Sequence, residues 1–467
     1  MKKKKPTSKP EENYPVDEEL PEGWKSVVLE DHIYIAARIG WRGLKREEYT
    51  KEGPLFLAVK DIQENGFIDF QNVTDHLSEY RYDESPEIQL KEEDIIITKD
   101  GTIGKIGFVK DLPGKVTVNS SLLVVRPSSE ILPRFLFFYF RSADFQKIVR
   151  ERITGSAVPH LFQKDIKKFR ILVPPLAEQQ RIVARVEALL SHVNAARERV
   201  SRVPLIMKKF RQAVLSAACT GKLTEGWREE NLDVESGSQL LERIAGKASH
   251  STVPYDDDPP LSLPEIPESW EWSRCFPLSD PKRDITYGVI KLGVPIKGGI
   301  PTLRSSDVRW LHIDNSDVKT INPDIASQYS RTFLKGGEIV ITVRGSLGGI
   351  AVVPQSMAGY NISREVAVLP LLSGLDAKYF SYAIASIWSQ NWLSEVTKGV
   401  AYTGINIRDL KRLPLPLPPL AEQHEIVRRV GLLFERADVI DREVEAAGRR
   451  CERLTQAVLA RAFSGKL

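Results

Sequence analysis

From Ile182 the apolar residues step by four and three, through Val186, Leu189, Val193, Ala196, Val200, Val203, Met207 and Phe210 to Val214, with charged residues between them. The same cadence runs from Ile426 through Val430, Leu433, Ala437, Ile440, Val444, Ala447, Cys451 and Leu454 to Val458. A 4-3 alternation sustained this long keeps one narrow apolar seam on an α-helix, and such a seam is suited to packing against another helix. The spacing therefore predicts two long coiled-coil helices, with the seam residues as their shared core. Pro174-Pro175 and Pro418-Pro419 stand at the expected entrances, and Gly221 and Gly465 at the exits. Pro204 falls inside the first seam and removes a backbone donor, so a kink or interruption is expected there; the second helix has Gly448 at that place.

Ahead of each helix the pattern changes to short apolar runs. Asp94-Ile95-Ile96-Ile97-Thr98 is matched by Glu338-Ile339-Val340-Ile341-Thr342, and Ser121 to Val125 by Glu365 to Leu369. These read as strands. Around Pro133 to Arg150 and Ala377 to Val396 apolar and aromatic residues thicken without period-two alternation, which predicts helix. Each globular stretch is thus expected to be α+β, strands first.

The matches belong to a duplication. Pro174-Pro175-Leu176-Ala177-Glu178-Gln179 returns as Pro418-Pro419-Leu420-Ala421-Glu422-Gln423, and Gln212-Ala213-Val214-Leu215 with Gly221-Lys222-Leu223 returns as Gln456-Ala457-Val458-Leu459 with Gly465-Lys466-Leu467, both at an offset of 244. Leu20-Pro21-Glu22-Gly23-Trp24 meets Ile266-Pro267-Glu268-Ser269-Trp270 at 246, so small indels lie within the globular part. A period this long repeats a whole domain plus a helix, whereas solenoid repeats recur every ~20 to 50 residues. The expected organisation is a charged tail (1–20), a globular domain (21–170), a helix (171–223), a linker with a short amphipathic helix (224–265), a second globular domain (266–413) and a second helix (414–467). The heptads alone leave parallel and antiparallel pairing open; the architecture expected here is antiparallel, with a pseudo-two-fold relation between the halves.

Composition narrows the chemistry. No apolar run in the 467 residues approaches the ~20 that span a bilayer, and the basic start, Met1 to Lys5, leads into Pro and acidic residues rather than an apolar core. A cytoplasmic protein without membrane contact is expected. Cys219, Cys275 and Cys451 are odd in number and far apart, which excludes a disulfide framework and a paired-cysteine zinc module. The net charge of +4 permits nucleic-acid binding but does not demand it, so a local basic face would have to carry it. Seven His without a Cys/His cluster predict no metal site, no Gly-x-Ser-x-Gly elbow occurs, and Asn322-Pro323-Asp324 is not the Asn-Pro-Pro-aromatic loop of an adenine methyltransferase. No catalytic residue and no cofactor are expected in this chain.

The candidate contacts are loop residues. Asp100-Gly101-Thr102-Ile103-Gly104-Lys105 and Arg344-Gly345-Ser346-Leu347-Gly348-Gly349 each follow a strand; the glycine spacing and Ile106 do not fit a nucleotide-binding P-loop. They are tight turns, backbone-and-cation contacts to DNA phosphate through Lys99 and Lys105 or through Arg344, or both, with Thr102 and Ser346 as further DNA-contact candidates. A second pair, Thr154 to His160 with Gln163 and Lys398 to Gly404 with Asn406, offers Ser156, His160, Gln163, Tyr402, Thr403 and Asn406, whose side chains can reach base edges or be plain solvated polarity. Lys60 with Asp61, and Arg304 with Ser305 and Asp307, in matching positions after the first strand, are groove contacts or surface salt bridges. Asn361, Ser363 and Arg364, opposite Asn119, Ser120 and Ser121, complete the set.

The doubled Pro-Pro-Leu-Ala-Glu-Gln, the doubled Gly-Lys-Leu and the two glycine loops resemble the specificity subunit of type I restriction-modification systems, in the right order over nearly the whole chain from about residue 21. The resemblance implies two target recognition domains, each reading one half of a bipartite double-stranded DNA sequence. It implies helices that act as spacer and as docking surface for two modification subunits. Those subunits carry S-adenosylmethionine and methylate adenine, and two restriction subunits add ATP- and Mg-dependent translocation and cleavage. The rival readings are a self-contained methyltransferase or endonuclease and a coiled-coil scaffold that does not touch DNA.

Overall fold

The computed structural model describes residues 20–37, 48–152, 160–245, 261–397 and 404–467. The chain forms two compact units, Met1–Arg202 with Val444–Leu467, and Val203–Glu443. The first unit contains β1 (Lys25–Val28), β2 (Ile33–Ala36), β3 (Tyr49–Leu57), β4 (His76–Leu77), α1 (Glu79–Asp83), β5 (Ile95–Thr98), β6 (Ile106–Phe108), β7 (Val116–Val118), β8 (Leu122–Pro127), α2 (Pro133–Phe140), α3 (Ala143–Arg152), α4 (Gln163–Lys167) and β9 (Arg170–Val173), and the long helix α5 (Leu176–Cys219) begins in it. After α6 (Glu225–Glu230) and α7 (Gly237–Ala245), the second unit has β10 (Glu271–Arg274), β11 (Thr286–Tyr287), β12 (Ile300–Leu303), β13 (Lys319–Ile321), α8 (Pro323–Ser327), β14 (Ile339–Thr342), β15 (Ile350–Val352), β16 (Asn361–Ile362), β17 (Val366–Leu369), α9 (Ala377–Ala385), α10 (Ile387–Val396), α11 (Ile407–Arg412), β18 (Pro414–Leu417) and the start of α12 (Leu420–Phe463).

The duplication extends to topology. The sheets β1-β9, β2-β8-β5-β6 and β4-β3-β7 return as β10-β18, β11-β17-β14-β15 and β13-β12-β16. In each four-stranded sheet the central strands are buried on both faces, which is why they read as continuous apolar runs. Ile95, Ile97, Leu123 and Val125 face a core with the phenylalanines of α2, while Ile96, Leu122 and Val124 face Leu57, Val116 and Val118 of the three-stranded sheet. Ile339 and Ile341 against α9, and Val340, Val366 and Val368 against Leu303 and Ile362, repeat the arrangement. The segment after residue 224 is more than a connector, since Leu240 and Leu241 of α7 are buried in the second core.

The long helices run antiparallel within each unit. In the first, Arg181 donates to the Leu467 carbonyl at 2.9 Å and Arg197 pairs with Glu452 at 2.9 Å; in the second, Arg211 pairs with Asp441 at 2.9 Å and Arg429 donates to the Leu223 carbonyl at 2.9 Å. The end of α12 therefore completes the first core, where Phe463 packs 5.2 Å from Phe135 and 5.4 Å from Tyr139. The end of α5 completes the second through Val214, Leu215 and Ala218.

Two expectations about the helices are corrected, the interruption at Pro204 and the regular seam. Helix α5 passes through Pro204 without interruption. Pro204 is exposed, where water can serve the Val200 carbonyl that its missing N–H leaves unbonded. The seam also drifts. Ile182, Val186, Met207, Val214, Ile426, Val430, Ala437 and Cys451 are buried, and Leu189, Val193, Val200, Leu433 and Val444 are half-buried. Ile440, Phe210 and Leu454 are exposed, Ile440 by 44%. At each of these steps the next residue takes the inward place: Arg211 with Asp441, and the buried Thr455. A 3.6-residue helix that is not fully supercoiled falls behind a 3.5-residue repeat by this kind of step.

The repeated motif is structural. Gln179 is fully buried; its Oε1 accepts from the Leu132 amide at 2.7 Å and its Nε2 donates to the Glu130 and Pro174 carbonyls at 2.9 Å. Gln423 does the same for the Asp376 amide at 3.0 Å and the Pro418 carbonyl at 2.9 Å. Each glutamine thereby fixes a long helix to the residue that opens α2 or α9. Gly221 and Gly465 have φ of +75° and +68°, and a Cβ there would lie 2.3 Å from Pro267 and 2.9 Å from Pro21. Only glycine meets both demands without strain.

Candidate nucleic-acid interface

The two glycine loops are built on the same hydrogen bonds. The β5–β6 loop closes on Thr98, whose Oγ1 accepts from the Lys105 amide at 2.9 Å; the β14–β15 loop closes on Thr342, whose Oγ1 accepts from the Gly349 amide at 2.8 Å. Gly101, Gly104, Gly345 and Gly348 all have positive φ, from +70° to +92°, so the turn geometry itself requires glycine. Thr102 and Ser346 are exposed on these loops, and Lys105 is half-buried.

A second strand of chain is tied to each loop. The Leu161 amide donates to the Lys99 carbonyl at 3.1 Å, and the Ile405 amide to the Val343 carbonyl at 2.8 Å. This brings His160 beside Asp100, the two joined through His160 Nδ1 and Asp100 Oδ1, with Lys99 Nζ 3.9 Å from the same carboxylate. At the equivalent place Gly404 lies against Arg344, whose guanidinium stands 5.5 Å from the centre of the Tyr287 ring. One backbone frame thus presents an acid and an imidazole in the first unit and a guanidinium on an aromatic ring in the second.

The remaining candidates separate. Lys60 pairs with Asp75 at 2.9 Å, which raises its pKa. Arg304 is held by Asp307 at 2.9 Å and donates to the Asp317 carbonyl at 2.9 Å, and Ser305 is buried with its hydroxyl on Glu365 at 2.6 Å. These residues stiffen turns after β3 and β12, the third strands of their units rather than the first. Asn361 and Ser363 are buried, and Asn361 accepts from Thr332 Oγ1 at 2.6 Å; neither forms an edge open to a ligand. Arg364 is exposed. Asn406 is exposed at the start of α11 with its amide 3.3 Å from Asp409, and Gln163 opens α4. Ser156, Tyr402 and Thr403, with the rest of the loops 153–159 and 398–403, lie outside the described residues, as do the tail 1–19 and Asp256 to Pro260.

Sequence reasoning passed over the helices α4 and α11. A groove of about 580 Å³ in the first unit is lined by Lys99, His160, Gln163, Lys164 and Lys167, with Glu30 and Phe162. A groove of about 460 Å³ in the second is lined by Arg274, Phe276, Arg408, Lys411 and Arg412. The two occupy equivalent places, because α11 follows α4 at the same 244-residue offset. The signal was available: Lys164, Lys167 and Lys168 return as Arg408, Lys411 and Arg412, each a cation, on one helical face.

Among the described residues no group of His, Cys, Asp and Glu could hold a metal ion, and no helix is long and apolar enough to cross a membrane. The three thiols are buried; burial pushes Cys219 and Cys275 up to about 12, far from a reactive thiolate.

The model of the type I restriction modification DNA specificity domain matches residues 48–200 and again 296–439. The chain is 34% identical to the type I restriction enzyme EcoBI specificity subunit of Escherichia coli over 71% of its own length and 65% of that protein's, so the alignment spans just under two thirds of that relative. It is 26% identical to the EcoDI specificity subunit of the same species over 96% of this chain and 89% of that one. A chain in a solved structure of a type I restriction-modification system has the same fold, with a TM-score of 0.61 at 21% identity over 96% of this chain and all of that one. Two matches to the same domain model, falling on two units with one topology, show that this chain belongs to the type I restriction-modification DNA specificity family.

Proposed function

We propose that this chain is the specificity subunit that directs a type I complex to a bipartite double-stranded DNA target. Each recognition domain, 21–170 and 266–413, reads one half, and the nonspecific gap is set by the long helices. A helix of 44 residues at ~1.5 Å each measures about 66 Å, or about 19 base pairs at ~3.4 Å. The helices' outward faces dock two modification subunits that bind S-adenosylmethionine and methylate adenine at N6. Two restriction subunits join with ATP and Mg for cleavage, and the chain itself contributes no catalytic group.

The observation that carries this reading is the pair of glycine loops. The same amide-to-threonine hydrogen bond closes both, yet they display Asp100 with His160 in one unit and Arg344 with Gly404 in the other. A shared frame with unlike side chains suits two readers of unlike half-sites, since base edges differ in their donors and acceptors. The test is to exchange residues 21–170 for the corresponding domain of a relative and map methylation in a host carrying the modification subunit. One half of the modified sequence should change, with the other half and the gap kept. Change in both halves, or in neither, overturns the division of labour, and methyl transfer by the chain alone would make it an enzyme.

A further inference from the structure

We propose that α4 and α11 are equivalent phosphate-holding elements, through which each unit grips the DNA backbone irrespective of sequence while the neighbouring loops read bases. This rests on the DNA-reading function proposed above and assigns a partner group, the phosphodiester, to two grooves.

In the loops beside α4 and α11, and at the first position of each helix, Asp100, His160 and Gln163 are replaced by Arg344, Gly404 and Ile407, three changes of chemical type. The positions of Lys164, Lys167 and Lys168 are taken by Arg408, Lys411 and Arg412, with the positive charge kept at all three. Bases differ between two half-sites; phosphates do not. A residue type held constant between two readers of different sequences is matched to the constant part of the ligand.

Geometry agrees. Both grooves bear an exposed aromatic ring with a lysine over it: Lys164 Nζ lies 5.1 Å from the Phe162 centre and Lys411 Nζ 5.0 Å from the Phe276 centre. A ring face orients an ammonium without neutralising it, so the charge stays available to an anion. In the first groove Lys167 stands 3.7 Å from Glu30 and Lys99 3.9 Å from Asp100, looser than a direct hydrogen bond, and in the second the buried Arg412 stands 3.9 Å from Asp409. Lys411 does pair with Asp284 at 2.6 Å, whose side chain is 60% exposed, and an exposed pair of this kind exchanges readily for a phosphate.

The test uses the full chain with its modification subunit, a mixed-sequence duplex, and a duplex carrying the target found by methylation mapping. K164Q/K167Q and R408Q/K411Q should each weaken binding to both duplexes by the same factor, on the order of tenfold at physiological salt, and reduce the slope of log K against log salt by about 1.8. The methylated sequence should not change, and K164R/K167R should restore the wild-type slope. An unchanged slope in both double variants overturns the proposal, as does a loss confined to the target duplex, which would make these helices base readers. If the wild-type complex bound neither duplex at any salt concentration, the DNA-reading function itself would fall.

Discussion

Glu178 and Glu422 occupy the same place in the repeated motif, and the structure assigns them different weights. Glu422 is fully buried and accepts from Thr224 Oγ1 at 2.6 Å, Arg228 Nη1 at 2.6 Å and Trp270 Nε1 at 2.7 Å. Arg228 comes from α6, in the second unit. Glu178 pairs with Arg181, one turn along its own helix at 2.8 Å, in a partly exposed site. Glu422→Ala would leave three donors without their acceptor and a guanidinium without its counter-charge. Breaking a buried ion pair costs about 3 to 5 kcal/mol, and because Arg228 keeps 20% of its side chain exposed the lower end, about 3 kcal/mol, is expected. For a unit of this size that lowers the melting temperature by roughly 6 to 12 °C. Glu178→Ala should leave melting within experimental error. Calorimetry on the two variants and the wild type decides it. Equal shifts in the two variants, in either direction, would refute the claim that burial by α6 separates these residues, and R228A should then also prove silent.

Gln179→Ala and Gln423→Ala should each cost about 2 to 4 kcal/mol in urea denaturation, because each strands buried backbone partners at a helix opening. Gly221→Ala and Gly465→Ala should each lose at least about 1 kcal/mol by the same assay from the left-handed backbone alone, with Gly221 the worse because its Cβ would meet Pro267 more closely. The Glu425 carboxyl is held down at about 2, chiefly by its hydrogen bond to Arg428, below an ordinary value of 4.5. A depressed acid stabilises the fold above its unfolded pKa and loses that contribution as pH falls through the folded one. The stability difference between wild type and E425Q should therefore be constant above about pH 5 and shrink toward about pH 2, measured by denaturant midpoints across that range.

Much of this organisation was legible because it rests on local rules. Ile95 to Ile97 and Ile339 to Ile341 read as strands since a strand covered on both faces must be apolar at every position. The helices announced themselves by their period, but not their detail: that Ile440 and Leu454 turn outward depends on the drift of a real helix against its partner, which a heptad count does not track. Candidates chosen for polar character fared unevenly for a similar reason. Asn361, Ser305 and Arg304 are polar because they satisfy buried neighbours, and a hydroxyl that serves Glu365 looks the same in sequence as one that faces a base.

Repetition at a fixed offset was enough to establish two like domains, each followed by a long helix, since identical strings at identical spacing carry no need of coordinates. The grouping of side chains into sites belongs to tertiary structure. Antiparallel pairing completes each core with the tail of the other repeat's helix, as Phe463 does against Phe135 and Tyr139. Backbone bonds from Leu161 to Lys99 and from Ile405 to Val343 carry residues some 60 positions apart into one rim. Contacts at that separation are fixed by which surfaces bury together, and burial is a property of the whole packed chain that no window of sequence contains.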